Sequence, residues 1–161
     1  MERIVDVAAA VMDRYHVIAG EVIDEMKLHK MIYFCQRESY AVYGRPMFAE
    51  KMQGWKYGPV SPVVRANYTT DGMNCDTHAV GNEAAYIVNN IIEQYAAVAS
   101  WKLSQMSHNE LSWRRSREGL SEQDRGSREL LDEDIKEDAK KIRPYDAIYD
   151  MYYDEFESVN A

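Results

Sequence analysis

The stretch "DEMKLHKMIYFCQRESYAVYGRP", residues 24–46, decides the fold because it carries a complete set of helix signals. Asp24 can accept hydrogen bonds from the free N–H groups at a helix start, and Gly44 suits the left-handed conformation that ends a helix. Pro46 then prevents the helix from continuing. The apolar residues between these signals recur at helical spacing: Leu28, Met31, Ile32, Cys35 and Val42. The stretch therefore predicts one long amphipathic helix.

Two more long helical patterns flank this stretch. Residues 4–15 repeat apolar side chains at helical spacing and predict a first helix that ends before Gly20. Residues 82–99 carry the most regular apolar stripe in the chain, so we expect a helix there in the centre of the core.

Shorter helices are predicted in the second half of the chain. Ser100 is expected to cap one of them, and Leu111 and Trp113 to lie on a further helical turn. Asp132 is expected to cap a last helix that runs through Ile142, with basic residues at its end.

The segment "RPMFAEKMQGWKYGPVSPVV" is rich in aromatic residues and proline. Residues 46–57 alternate only loosely and predict a short strand or hairpin, which Gly58 and Pro59 are expected to break. Ser61 followed by Pro62 is a helix-start signal. The residues alone leave three roles open for the segment: a ligand pocket, a partner surface or a corner of the core.

These patterns predict a mainly α protein, a compact single-domain helical fold with a short strand or hairpin element around residues 46–57. Residues 69–81 are polar and contain glycine, which indicates a surface loop. A chain of 161 residues suits one core. We place the domain in residues 1–143 and a tail in residues 144–161.

The tail differs in composition from the domain. Its aromatic residues repeat at helical spacing between acidic ones, which predicts an acidic helix with an aromatic face. Such a helix could anchor a partner with a basic surface, or pack on its own domain with the aromatic face inward. The candidate contact residues are Tyr145, Tyr149, Tyr152, Tyr153 and Phe156.

Charge and hydropathy restrict the partners. The net charge of −8 disfavours direct binding to a nucleic-acid backbone. No apolar run approaches the length of a membrane span, and the first residues do not resemble a secretory signal, so we expect a cytoplasmic protein. Cys35 and Cys75 are expected to be reduced thiols, with Cys35 in the core.

The sequence contains no recognisable motif for catalysis or for a cofactor. Cys75 and His78 could supply two metal ligands, but no second pair follows at a suitable spacing. The glycines match neither a phosphate loop nor a dinucleotide fingerprint. Arg114, Arg115 and Arg117 could meet an acidic group or simply carry surface charge. We therefore expect no metal, no cofactor and no enzymatic activity.

Four blocks together resemble one family. "KLHKMIYFCQ", "RPMFAEKMQGWKYGPVSPVV", "LSQMSHNELSWRRSR" and "LLDEDIKEDA" occur in the order and at the distances of the SocA-like antitoxins, also called the Panacea domain and found in phage-associated GepA-like proteins. The residues that fill the motif positions of that family are Leu28, Lys30, Tyr33, Pro46, Phe48, Trp55, Gly58, Pro59, Val60, Ser107, His108 and Trp113. Two positions depart mildly from the pattern: Ser107 replaces a more common threonine, and Ser112 a proline.

The resemblance implies an antitoxin of a bacterial or phage toxin-antitoxin system that neutralises a cognate protein toxin by direct binding. The motif residues are then expected to be structural, because the family pairs with unrelated toxins. Tyr57, Arg114 and Arg117 are the candidate toxin contacts within the domain, in addition to the aromatic residues of the tail.

Other functions stay open at this stage. The protein could be an adaptor that delivers its toxin to a protease complex, or an enzyme with an unrecognised site. Transcriptional autoregulation would require a basic DNA-binding face, which the sequence does not indicate. Homo-oligomerisation is compatible with the sequence as well.

Overall fold

The computed structural model describes residues 1–144. These residues form seven α-helices and two short antiparallel hairpins. The elements are α1 (Ile4–Ala19), α2 (Glu25–Tyr43), β1 (Gln53–Trp55), β2 (Gly58–Val60), α3 (Pro62–Asn67), β3 (Tyr68–Thr69), β4 (Gly72–Met73), α4 (Asn82–Tyr95), α5 (Ser100–Ser107), α6 (Leu111–Ser116) and α7 (Asp132–Lys140). The predicted mainly α fold with a short hairpin is confirmed. The predicted helix of the tail lies outside the described residues.

Helix α2 is the centre of the fold, since α1, α4, α5 and α7 all pack against it. Its predicted ends are confirmed. The Asp24 carboxylate accepts a hydrogen bond from the Lys27 N–H at 2.9 Å, and Gly44 ends the helix with a φ of 71°. Burial extends beyond the predicted apolar stripe, because every residue from Lys27 to Tyr40 is buried.

The polar residues of α2 are compatible with burial because they bond to core groups. The Gln36 side chain donates to the Phe48 carbonyl at 2.9 Å and accepts from the Met47 N–H at 2.7 Å. This pair of bonds attaches the chain that follows α2 back onto the helix. Buried polar groups are tolerated where they are hydrogen-bonded.

The hydrophobic core lies where α1, α4 and α7 meet α2. Phe34 of α2 stacks on Tyr95 of α4, with ring centroids 4.7 Å apart. Cys35 is completely buried, as predicted. Each large apolar side chain buried in this way stabilises the fold by about 1.5–3 kcal/mol. Helix α4 is part of the core but ends at Tyr95, earlier than its pattern predicted. None of the described helices is long and apolar enough to cross a membrane.

Two predicted helix caps are wrong. Ser100 is the first residue of α5, and its hydroxyl donates to the Asp24 carboxylate at 2.6 Å. Asp132 is likewise the first residue of α7, and its carboxylate forms an ion pair with Lys51. Both side chains therefore bond to distant residues, which a local pattern does not reveal.

The first hairpin contains the residues that were expected to end it. Gly58 and Pro59 lie in β2, where they pair with Trp55 and Gly54 of β1. Proline fits here because, within residues 1–144, β2 pairs only with β1, so the other edge of β2 has no strand partner that needs a donor. The predicted break is therefore the second strand of the hairpin.

The chain leaves this hairpin through a capped helix. The Ser61 hydroxyl accepts a hydrogen bond from the Val64 N–H at 3.2 Å, and Pro62 occupies the first turn of α3, so the predicted helix start is confirmed. The segment 69–81, predicted to be a surface loop, includes the short β3–β4 hairpin at its start.

Candidate functional site

A buried lysine lies at the centre of the candidate site. Lys30 is on α2, is 1% exposed, and its Nζ donates to the Pro59 carbonyl at 3.2 Å. None of the ion pairs within residues 1–144 includes Lys30. Burial lowers the pKa of its ammonium group to about 8, so most of these groups remain charged at neutral pH.

The hairpin approaches this lysine closely because it has glycine at the contact. Gly58 has a φ of 124°, and a Cβ atom added to it would lie 2.5 Å from both Lys30 Cε and Ser107 Oγ. Ser107, at the end of α5, is fully buried. The hydroxyl of Ser104, also on α5, donates to the Tyr57 carbonyl at 2.5 Å. The hairpin turn is therefore held between α2 and α5.

Trp113 and His108 form a second side of the site. Their rings stack at 4.1 Å with an angle of 9° between the planes, and Trp113 Nε1 donates to the Trp55 carbonyl at 2.8 Å. Burial lowers the pKa of His108, and the charges of Lys30 and Arg117 lower it further. His108 Nε2 has no hydrogen-bond partner in the described structure. A neutral imidazole is thus placed against the hairpin.

Arg117 fixes the loop that follows α6. Its Nη1 donates to the carbonyls of Gly54 and Arg125 at 3.3 and 2.8 Å, and its Nη2 to those of Ser121 and Asp124 at 3.1 and 2.6 Å. These bonds fold the loop of residues 118–128 toward the β1–β2 hairpin. The guanidinium predicted to contact a toxin is thus engaged with its own chain.

Two cavities flank the exposed tip of the hairpin. Tyr57 is 55% exposed and, with Lys56 and Gln123, borders both of them. The larger cavity, of about 530 Å³, is lined by the His108–Trp113 side. The smaller cavity, of about 330 Å³, lies on the side of α2 and α3. We call the exposed tip and the two cavities the hairpin face.

Two arginines approach the Trp55 ring at the smaller cavity. The guanidinium carbons of Arg65 and Arg125 lie 5.4 and 4.5 Å from its ring centroid, within the range of cation–π contacts. The ring is half-buried, and its Nε1 donates to the Gln53 side chain at 2.9 Å. Trp55 therefore lies at the border of the core and of the surface.

The remaining motif residues are distributed between the core and the hairpin. Leu28, Tyr33 and Phe48 are buried in the core, and Val60 lines the smaller cavity. Arg114 is exposed on α6. The tail candidates lie outside the described residues: Tyr145, Tyr149, Tyr152, Tyr153 and Phe156.

A separate network of polar groups joins the helices α2, α6 and α7. The Tyr33 hydroxyl lies 3.1 Å from oxygen atoms of Glu110, Ser112 and Asp138. Asp138 Oδ1 accepts from the Leu111 N–H at 2.7 Å, and Asp138 Oδ2 accepts from the Ser112 N–H at 3.0 Å, so α7 supplies the cap of α6. Burial raises the pKa of Glu110, although its ion pair with Arg37 opposes the shift.

A comparison with models of protein families shows which family the chain belongs to. The model of the SocA-like antitoxins, Panacea domain, matches residues 28–114, which are 87 of the 161 residues. The chain belongs to the SocA-like antitoxin family. The matched SocA-like region begins in α2 and ends in α6, and it includes Lys30, the β1–β2 hairpin, His108 and Trp113. No curated protein and no solved structure matches the chain.

Three residues of the smaller cavity were not found from the sequence. His29 precedes a motif lysine on α2, Arg65 is on the short α3, and Arg125 is in a segment that resembles an ordinary loop. The local pattern gives no signal for Arg125, because its approach to Trp55 depends on the bonds of Arg117. The predicted start of α3 places Arg65 on a helix, but it does not reveal the contact of Arg65 with Trp55.

Proposed function

We propose that this protein is an antitoxin that neutralises a cognate protein toxin by binding it directly through the hairpin face. The observation that carries the proposal is that widely separated SocA-like motif residues converge on one exposed feature. Lys30, Ser107, His108 and Trp113 all support the turn that presents Tyr57.

The chemistry of the face suits a protein partner. Tyrosine and arginine dominate the energetics of many interfaces, and exposed Tyr57 lies between two cavities that side chains of a partner could enter. The motif residues fix the backbone beneath the tip, so little order has to be gained on binding. A rigid turn with an exposed tyrosine at its tip can therefore bind a partner with little loss of conformational entropy.

Co-expression with the product of the neighbouring open reading frame tests the proposal. We expect that product to stop growth when it is expressed alone, and this protein to restore growth and to co-purify with it. Tyr57→Asp should weaken the complex, whereas Trp101→Asp, at an exposed aromatic residue of α5, serves as the control. A harmless neighbour, or rescue of growth without a complex, would contradict the proposal.

The tail and the protease alternative are tested in the same system. Removing residues 144–161 should weaken toxin binding at an unchanged melting temperature, if the acidic tail is a second contact. Intact binding with a lowered melting temperature would show the tail contact to be wrong. A toxin half-life that shortens in cells when this protein is present would indicate delivery to a protease instead of sequestration.

A further inference from the structure

The smaller cavity of the hairpin face contains a buried cation without a counter-ion. Lys30 lines this cavity, is 1% exposed, and forms no ion pair with any residue from 1 to 144. Its ammonium group donates a hydrogen bond to a neutral carbonyl, that of Pro59. A buried charge is costly unless an opposite charge or several dipoles compensate it. An anion that entered the cavity would remove this cost.

His29 adds a second unsatisfied donor at the same cavity. The ring is 2% exposed, and its Nδ1 accepts a hydrogen bond from the Ser61 N–H at 3.2 Å. The proton of the neutral imidazole is therefore on Nε2, which has no hydrogen-bond partner in the described structure. A buried donor without an acceptor is uncommon in folded proteins, and an acceptor that entered the cavity would satisfy it.

Two arginines provide the rim of the cavity. Arg65 and Arg125 lie over the Trp55 ring, and the Arg65 guanidinium is 2.8 Å from the Glu25 carboxylate. Four positively charged side chains line the cavity against this one acid, although the whole chain has a net charge of −8: Lys30, Lys56, Arg65 and Arg125. The lining of the cavity is thus positively charged, whereas the chain as a whole is negatively charged.

The shape of the cavity restricts the anion. Its volume of about 330 Å³ is near the lower end of ligand pockets, and Met26, Trp55 and Val60 give it an apolar lining. Arginines lie over the Trp55 ring, so the ring is not open for stacking with a nucleobase. A carboxylate on a short side chain next to an apolar residue fits this combination.

We propose that the smaller cavity receives an acidic side chain of the toxin, whose carboxylate pairs with Lys30 and accepts a hydrogen bond from His29. The neighbouring apolar atoms of the toxin pack on Met26 and Val60, and the rim arginines attract the acidic segment. This assignment rests on the proposed antitoxin function.

A peptide probe tests the cavity without the toxin. The wild-type protein is titrated with N-acetyl-Leu-Glu-Leu-amide, with the matched N-acetyl-Leu-Gln-Leu-amide, and with inorganic phosphate, while NMR follows the Trp55 indole and His29 imidazole signals. We expect the Glu peptide to shift both signals and the Gln peptide to bind at least about 10-fold more weakly. Equal binding of the two peptides, or equal shifts with phosphate alone, would overturn the assignment of a carboxylate side chain.

Charge variants test the same cavity in the complete complex. Arg125→Gln should weaken toxin binding about 10-fold, whereas Arg45→Gln, which changes an exposed arginine that lines neither cavity of the hairpin face, should leave it unchanged. Lys30→Met should remove the preference for the Glu peptide, and Arg125→Gln gives a second test if the buried Lys30 variant does not fold. Equal toxin binding by wild type, Arg125→Gln and Arg45→Gln would overturn the cavity proposal alone. A toxin that does not bind the wild type would overturn the proposed function as well.

Discussion

His29 makes the stability of the domain sensitive to acid. Burial lowers its pKa from 6.5 to about 3, and the charges of Lys30 and Arg65 contribute. The unfolded chain therefore binds a proton below pH 6.5 that the folded chain binds only near pH 3, so the free energy of unfolding falls as the pH falls through this window. This group alone should cost on the order of 3 kcal/mol between pH 7 and pH 4.

The variant His29→Asn checks this effect. The Asn side-chain oxygen can accept the hydrogen bond of the Ser61 N–H but does not titrate, so we expect a flatter dependence of the unfolding free energy on pH between 4 and 6.5. Urea unfolding at several pH values measures it. The control is His16→Asn, at an exposed position of α1. Parallel pH profiles of wild type and His29→Asn would contradict the assignment.

Gly58 combines a positive φ with a close contact to other side chains. Gly72 is a natural control, because it has a similar φ without the close contact. Gly58 and Gly72 have φ values of 124° and 126°, but a Cβ atom at Gly72 would meet nothing within 4 Å. Alanine strains the backbone at both positions by about 1–3 kcal/mol. Gly58→Ala should cost about 1–3 kcal/mol more than Gly72→Ala, because its methyl group displaces Lys30 and Ser107. Equal losses in urea unfolding would show that the contact relaxes freely.

At the scale of the element, the loop of residues 118–128 depends on Arg117. Arg117→Ala removes the donors that hold four carbonyls, so we expect the amides of this loop to exchange hydrogen at least about 10-fold faster. Arg114→Ala, at an exposed position three residues earlier on α6, is the matched control. Unchanged exchange in Arg117→Ala would show that other contacts determine the loop conformation.

The elements of the fold were predicted best where their signals are local. The start and the end of α2 depend on Asp24 and Gly44, which act within one helical turn, and both were predicted correctly. Asp132 and Ser100 have the same chemistry as a cap, but tertiary partners occupy their side chains. Pro59 was interpreted as a break, because its tolerance depends on how many strands the sheet has.

The candidate site was only partly predictable, for a related reason. Motif positions such as Lys30 and Trp113 were identified through the family resemblance. The contacts between Trp55 and its two arginines join residues that are 10 and 70 positions away from it, and no periodic pattern encodes them. Local chemistry predicts helices and turns, whereas this cavity arises only when the hairpin, α3 and the later loop meet.

At the scale of the molecule, Tyr33 connects three helices through one hydroxyl. Tyr33→Phe removes the contacts with Glu110 on the segment before α6, with Ser112 on α6 and with Asp138 on α7. Because buried acceptors lose a partner, the free energy of unfolding should fall by about 1–3 kcal/mol. Tyr57→Phe, at the exposed tip, should change it by less than about 0.5 kcal/mol. Chemical unfolding of both variants measures the difference, and equal values would contradict the role of the network.

The contact between Tyr33 and Asp138 also has a consequence for the order in which the protein is made. The two residues are 105 positions apart, so at about 5–20 residues per second a ribosome needs about 5–20 s to add the second after the first. During that time, α2 lacks α7, the helix that carries Asp138 and packs against it. A nascent chain should therefore complete its fold only after Asp138 has emerged from the ribosome, and a message cut before the codon for Asp138 should yield a product that chaperones and proteases remove.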